Sequence, residues 1–526
     1  MTTELVTPHR SSLTSERESF WHLVHAEWTK FRTVRGWLLA VGVTIVAIVA
    51  FVFVASDVSS SCVGSGGPSA CPVQPTGPGG VPVLDAFYFA HQPVTGSGTI
   101  TVQLTSLTGQ VEVGQAGNGA PQLAPGLAPW SKAGIIIKEN TSQGSVYAAM
   151  MVTGSHGVRM QWDYVNDTPG LAGSVSASAP RWLRLVRDGG TITGYDSADG
   201  THWTLVATVT LPGLTSTVQA GLFAAGSFYD SSRCTYDSSF CTQATGVYRH
   251  IGLSWPATGW TGTNVGGPNF GVPAPGTLRE NAGTLTVASF GDIGPAAGTA
   301  YGGSGQSLQR ALTGTFFGMI PLIVAAAMFI TAEYRRRLIW VSLTAAPRRG
   351  RLLAAKAVVI GAVGFVTGLV AATLALAIGK PLLLRAGPLA WPVSLLTEAR
   401  MVVGTGALLA VAAVLALAIG AIVRRSAPAI AIVIVVIVVP YLLPFHPGSQ
   451  PQGSGPGGGG GWSLQFTPTA ALSVQQAVPQ FHQLLATYPV NAGYYPLAPW
   501  AGLAVECAWA AAALALACHL LRRRDA

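Results

Sequence analysis

Six stretches of about 20 apolar residues punctuate the chain, at roughly Trp37 to Ala55, Leu312 to Ala332, Leu352 to Ile378, Met401 to Val423, Pro428 to Phe445 and Leu497 to Leu521. Each is long enough to cross a hydrocarbon layer of about 30 Å as a helix. Between the first two, from about Val83 to Phe290, continuous apolarity gives way to a period of two. Val158, Met160, Trp162 and Tyr164 alternate with Arg159, Gln161 and Asp163. Trp203, Leu205, Ala207, Val209 and Leu211 alternate with His202, Thr204, Val206, Thr208 and Thr210. That alternation predicts half-buried strands. Asp188-Gly189-Gly190 and Ser197-Ala198-Asp199-Gly200 supply hairpin turns, because Gly and Asp tolerate positive φ. An antiparallel sandwich follows.

Ahead of the first span, Phe20, Trp21, Val24, Trp28, Phe31 and Val34 recur at near-helical spacing, with His22, His25, Glu27, Lys30 and Arg32 on the other face. This predicts an amphipathic helix in the membrane interface or, alternatively, a helix packed on a partner. The expected organisation is a terminal segment over 1–36, a first span over 37–55, a Gly/Pro/Ser-rich linker over 56–82 and a sandwich over 83–290. A second linker over 291–310 and a membrane half over 311–526 follow, the latter with a short connection at 333–351 and a long one at 446–496. The long connection opens with Gly and Pro, including Gly457 to Gly461, and turns apolar around Ala470 to Leu485. A flexible stretch followed by a short outer helix is expected there.

Composition agrees with a bilayer as solvent: 49% of the 526 residues are hydrophobic and 10% charged, against about 25% charged in soluble proteins. The net charge of +9 would suit a nucleic-acid binder, but its distribution says otherwise. Arg10, Arg17, Lys30, Arg32 and Arg35 precede the first span; Arg335 to Arg337, Arg348, Arg349, Arg351 and Lys356 surround the second connection; Arg424, Arg425 and Arg522 to Arg524 follow later spans. These segments hold 17 basic and 6 acidic residues, the remainder 13 and 15. The positive-inside rule therefore puts both termini and the 333–351 connection in the cytoplasm and the sandwich outside, in the cell membrane. A signal sequence is the alternative for the first span, but 36 preceding residues and a 19-residue apolar run exceed that pattern.

Cys62 with Cys71 and Cys234 with Cys241 are close pairs in the outer portion. An oxidising exterior favours two short disulfides over free thiols, although four cysteines allow three connectivities. Cys507 and Cys518 lie in the last span and read as packed, reduced core residues.

Catalytic patterns are missing. Glu112, Glu139 and Glu280 are the glutamates between Val83 and Phe290, far apart in sequence, whereas a retaining glycosidase needs two carboxyls about 5 Å apart. The sole Gly-Lys step, Gly379-Lys380, is followed by Pro381 where a phosphate loop needs Ser or Thr. No His-Glu-x-x-His pattern occurs, so neither a cofactor nor a metal is expected in this chain. Asp163, Asn166 and Asp167, or Asp196 and Asp199, could offer oxygens to calcium, with turn formation as the simpler role.

Two resemblances add to this reading. Trp182-Leu183-Arg184-Leu185, Gly194-Tyr195-Asp196-Ser197, Asp199-Gly200 and Trp203 resemble the hairpins of concanavalin-like (laminin G-like, jelly-roll) domains over about two hundred residues. That likeness implies cell-wall glycan as a ligand, with exposed Trp and Tyr as stacking platforms, while the alternation makes Trp162 and Trp203 core residues. The second set is Ala26 to Arg35, Ala332-Glu333-Tyr334-Arg335-Arg336-Arg337, Leu343 to Lys356, Phe466-Thr467-Pro468 and the ending Leu520 to Ala526. It is similar to the permease subunits of actinobacterial ABC-2 type transporters. The expected fold is thus a six-helix transmembrane bundle with an inserted extracytoplasmic β-sandwich.

That second resemblance implies a permease without catalytic activity, an exporter by analogy, paired with a second permease subunit as homo- or heterodimer. A separate ATPase subunit would bind ATP and magnesium and dock on a helix in the connection, through Glu333, Arg335, Arg336, Arg337, Leu343, Pro347, Arg348, Arg349 and Arg351. A lipid-headgroup anchor is the plainer reading of those arginines. Glu333 at the boundary is expected to pair with an arginine. Glu506, some nine residues into the last span, is an intramembrane ionisable group for a substrate cation, for Arg400 or for a polar bundle interior. The rival function is a membrane-tethered glycan-binding or sensory protein that needs no ATPase.

Overall fold

The computed structural model describes residues 20–59, 75–115, 121–227, 242–266, 275–297, 307–335, 349–385, 391–442, 461–484 and 493–523. Cys62, Cys71, Cys234 and Cys241 lie outside the described residues, as do Arg336, Arg337, Leu343, Pro347 and Arg348.

Among the described residues sixteen strands make the sandwich: β1 (Val83–Thr95), β2 (Gly98–Gln115), β3 (Pro121–Pro125), β4 (Lys132–Lys138), β5 (Tyr147–Thr153), β6 (Val158–Trp162), β7 (Asn166–Pro169) and β8 (Arg181–Asp188). They continue as β9 (Thr191–Ser197), β10 (Thr204–Thr210), β11 (Thr217–Ala225), β12 (Thr242–Leu253), β13 (Thr261–Val265), β14 (Thr277–Asn281), β15 (Thr284–Ser289) and β16 (Asp292–Pro295). One eight-stranded sheet runs β13-β1-β11-β4-β5-β6-β7, with β16 also on β1; the other runs β10-β9-β8-β2-β12-β15-β14, with β3 on β2. Alternate residues of the two inner faces meet: Ala90, Ile135, Ile137, Met150 and Leu222 pack on Ile100, Val102, Leu183, Leu185 and Val287.

The predicted turns form as expected. Gly189 (φ 58) joins β8 to β9, and Gly200 (φ 79) lies between β9 and β10. Three details depart from strict alternation. A register shift between Leu205 and Ala207 turns Leu205 outward and seats Val206 against the core. Asp163 and Tyr164 take positive φ and end β6 two residues early. The last strand, β16, extends past the expected boundary at Phe290 and lies beside β1, the first strand.

The outward face of the first sheet is buried too. Phe87, Phe89, Ile136, Tyr147, Met151 and Phe223 form a second cluster there, which is why Gln161, expected on a wet face, is buried. Two ion pairs stand on this face, both wholly buried: Lys132 Nζ lies 2.7 Å from Asp292 Oδ1, and Lys138 Nζ 2.9 Å from Asp85 Oδ2. Each ties central strand β4 to one of the terminal strands, β16 or β1. Tyr164 donates its hydroxyl to Asp85 at 2.7 Å and accepts from Lys138 at 2.9 Å.

In the other half, α1 (Phe20–Thr33) precedes α2 (Arg35–Ser59), α3 (Gly314–Arg335), α4 (Arg349–Arg385), α5 (Leu395–Val423), α6 (Ser426–Leu442), α7 (Gly461–Phe466) and α8 (Pro499–Arg523). Among the described residues five helices are long and apolar enough to cross a membrane: α2, α3 with its leading 3-10 turn Leu308–Leu312, α4, α5 and α8. The remaining expected span falls on α6, a shorter apolar helix of 17 residues, or about 25 Å at the helical rise. Leu39, Val46, Phe53, Val366 and Val435 project from these helices unburied, as lipid-facing residues should.

The apolar part of the long connection is not an outer helix. Pro468–Gln475 is a 3-10 segment buried along its whole length among α3, α5, α6 and α8. Its polar side chains are spent on the helices around it. Thr469 donates to Ile437 O at 2.7 Å, Ser473 to Pro499 O at 3.2 Å, and Gln475 Nε2 to Thr315 Oγ1 and Thr405 Oγ1 at 2.9 Å each. Close approach depends on Gly404 beside Val474 and on Gly502 beside Ala470 O and Ser473 Oγ, where a Cβ would overlap its neighbours. Gly502→Val is therefore expected to destabilise the detergent-solubilised protein by about 1–3 kcal/mol, measured as heat-induced loss of the monodisperse peak. Unchanged thermal stability would contradict this packing.

The two halves share an apolar joint. Leu84, Ala86, Ala296 and Ala297 from the sandwich meet Trp391, Val478, Leu484 and Tyr494 from the connections between spans. Trp391 Nε1 donates to Ala296 O at 3.1 Å, and Gln483 Nε2 to Val165 O at 2.9 Å.

Candidate functional site

At the arginine-rich end of the bundle, α1 is fastened to the ends of α3 and α4. Its aromatic face does the first part: Phe31 is stacked between Trp28 and Trp37, with ring centroids 6.2 and 5.8 Å away, and meets Phe329 of α3 edge-on. The side assigned to water does the second. Glu27, read from spacing as a polar-face residue, is buried.

Its two oxygens bind two lysines: Oε1 lies 2.8 Å from Lys30 Nζ and Oε2 2.7 Å from Lys356 Nζ. Glu333 Oε1 closes the ring at 3.1 Å from Lys30 and 2.7 Å from Lys356. Two carboxylates and two ammonium groups neutralise one another, which is what makes burial of charge tolerable. Lys356, 1% exposed, also has its Nζ 4.8 Å from the ring centre of Phe329. Burial alone would lower the Lys30 pKa; its hydrogen bond and charge contact with Glu27, together with those of Glu333, more than offset this and hold it above the ordinary lysine value.

Glu333 thus pairs with lysines, not with an arginine, and its carboxylate is turned into the protein. The other described residues of the 333–351 connection differ from it. Arg335 and Arg351 are exposed. Arg349 Nη1 donates to Leu521 O at 2.6 Å, a cation on the last turn of α8. The connection therefore leaves α3 and re-enters α4 at points held by α1 on one side and α8 on the other. Sequence spacing gives Lys356 only as a topological charge; a lysine seven residues into an apolar helix is the signal that marks it.

Glu506 lies on the packed stripe of α8 with Gly502 and Ala510, 2% exposed, and its Oε2 has no hydrogen-bond partner. Arg400 is not its partner: that guanidinium donates through Nη2 to Gln476 O. Cys507, one position on, faces outward, and Cys518 is half-buried; the expectation of two packed core cysteines holds for neither in full.

In the sandwich, Trp162 is half-buried against the core. Trp203 carries the Arg184 guanidinium 3.7 Å from its ring centre, and Trp182 lies between Gly200 and His250, whose ring is 5.6 Å away. These ring faces are engaged within the protein. Glu112 is on β2 and Glu280 on β14, while Glu139 follows β4 in the other sheet. The candidate calcium oxygens serve turns and pairs: Asp167 binds Arg159, and Asp196 Oδ2 accepts from Leu171 N at 2.6 Å. Asp199 Oδ1 accepts from Thr201 N and His202 N, and its bond to the His202 ring holds its pKa well below the usual range.

Comparison with known proteins adds the following. The model of the family described as ABC-2 family transporter protein matches residues 214–526. No curated protein matches the chain. Among solved structures, a functionally unknown protein from Saccharomyces cerevisiae is 15% identical over 32% of this chain and 74% of its own, with a TM-score of 0.21. A scytalido-glutamic peptidase is 7% identical over 39% and 98%, with a TM-score of 0.24. Lectin I-B4 from Griffonia simplicifolia is 13% identical over 36% and 86%, with a TM-score of 0.18.

Proposed function

Because this chain belongs to the ABC-2 family of transporter proteins, whose model spans more than half of it, we propose that it is the membrane-spanning permease subunit of an exporter worked by a separate ATPase. The partner binds ATP and magnesium and docks on the connection between α3 and α4. The sandwich lies outside the cell, and the second permease subunit completes the path.

One observation carries the reading: the connection springs from a four-membered ion network, buried except at Lys30, that joins α1, α3 and α4 at the end of the molecule richest in arginine. A partner that displaces the connection moves three helices together, since the buried Lys356 ties Glu27 of α1 to Glu333 of α3 and loses a counter-charge if either carboxylate leaves. The exposed arginines give that partner a positive surface. Orientation follows from the same end being the basic one.

Glu333 enters this reading as a positioning residue, and Arg335 and Arg351 as contacts. Since Arg349 is engaged with Leu521 O, the sharper test reverses Arg348 and Arg351 to glutamate. Coexpressed with its ATPase, this variant is expected to retain membrane insertion and to lose at least about tenfold of the co-purifying ATPase, as charge reversal at a contact usually does. Undiminished recovery of the ATPase would refute docking at this connection.

A further inference from the structure

At the sandwich end of the bundle, the first turns of α5 and α8 border an open, groove-like cavity lined by Leu396, Thr397, Ala399, Arg400, Val403 and Trp500. Leu396, Arg400 and Val403 follow one another along a single face of α5, at the spacing that aligns helical side chains. The cavity opens sideways between apolar groups: Leu395 is 80% exposed, Leu396 84% and Trp500 55%. Bare leucines and a tryptophan suit the bilayer boundary, where Trp is enriched.

Arg400 is the cationic group in this apolar mouth. Its Nη2 is spent on Gln476 O, and its Nε is buried without a hydrogen-bond partner. Glu398, two residues back, is already paired with Lys380. Glu506 of α8 does not reach it either, and among the described residues no carboxylate forms an ion pair with Arg400. Arg400 is six residues beyond Ser394, the N-cap of α5, hence about 9 Å along the helix, at headgroup-to-glycerol depth and not mid-bilayer. A guanidinium at that depth lies among lipid phosphates, and its planar fork matches one.

We propose that this cavity holds an anionic phospholipid of the leaflet on the sandwich side. The phosphodiester sits on Arg400, and an acyl chain lies along Leu396, Val403 and Trp500. The phosphate meets the edge of the guanidinium that Gln476 O leaves open, and the chain covers the leucines. The site requires only that the chain be embedded in a bilayer, so it stands or falls apart from ATPase docking.

The test is native mass spectrometry of the full-length protein in an uncharged detergent, titrated with phosphatidylglycerol or with phosphatidylcholine of the same chains. Wild type is expected to retain one phosphatidylglycerol in preference to phosphatidylcholine. Arg400→Gln is expected to weaken that retention about tenfold, since a charge-assisted pair is lost. Val403→Trp, which fills the cavity from its lipid-facing side and leaves Arg400 in place, is expected to weaken it as well. Equal retention of both lipids by wild type, or phosphatidylglycerol binding indifferent to both variants, would overturn the site. Displacement of the lipid by an equimolar amount of inorganic phosphate would also overturn it, by showing a simple anion site with no contribution from the acyl chain.

Discussion

Lys356→Met is expected to be the most damaging single replacement in the membrane half, destabilising the protein by about 3–5 kcal/mol, the usual cost of stranding a buried charge. The side chain is 1% exposed, and its ammonium is shared by Glu27 and Glu333 at 2.7 Å each. Removing it leaves two carboxylates facing each other, with Lys30 to serve both. Lys30→Gln should cost far less, under about 1 kcal/mol, because that side chain is 43% exposed and water takes over its role. Heat-induced aggregation of the solubilised protein measures both. Combining Glu27→Gln and Glu333→Gln with Lys356→Met should recover much of the loss, since a neutral site strands no charge. If Lys356→Met melts with the wild type, the network is a surface feature and cannot hold the three helices together.

In the sandwich, Lys132→Met should likewise cost about 3–5 kcal/mol, and more than Lys138→Met. Both lysines are wholly buried on carboxylates, but their partners are not equally placed. Without Lys138, Asp85 Oδ2 keeps the Tyr164 hydroxyl at 2.7 Å and Gly144 N at 2.8 Å. Without Lys132, Asp292 keeps only its bond from Ile293 N at 2.8 Å on Oδ1; the other oxygen of each carboxylate, Asp292 Oδ2 and Asp85 Oδ1, is without a partner in either case. Protease resistance of the sandwich in membrane vesicles, followed against temperature, reads the order. The reverse order would mean that Tyr164 and Gly144 do not support Asp85 as described.

What the sequence disclosed were features written in neighbouring residues. An apolar run of span length, a period of two from Val158 to Met160, and Gly189 in a two-residue turn each need no knowledge of distant chain. Features made by distant partners stayed hidden. Glu27 looked like a solvated residue because nothing near it in sequence reveals Lys356. Gln161 looked wet because the cluster covering its face includes Phe87 and Phe223, from other strands. The segment Pro468–Gln475 looked like an outer helix because its burial depends on Gly404 and Gly502. Leu205 shows a subtler failure: the bulge turns Leu205 outward and Val206 inward while Ala207, Val209 and Leu211 keep the expected face, and no residue type announced the bulge.

The pairing of β1 with β16 bears on how this protein is put together. Val83 faces Pro295 and Ala86 faces Asp292 across an antiparallel ladder, so chain enters and leaves the sandwich at neighbouring points about 5 Å apart. Some two hundred residues are thus spliced into a loop between two spans without spreading them. Such an arrangement is how a self-contained cassette is accommodated in a host: α2 and α3, the spans on either side of it, still pack against each other, and the cassette can vary, or be exchanged for another, through a doorway two strands wide.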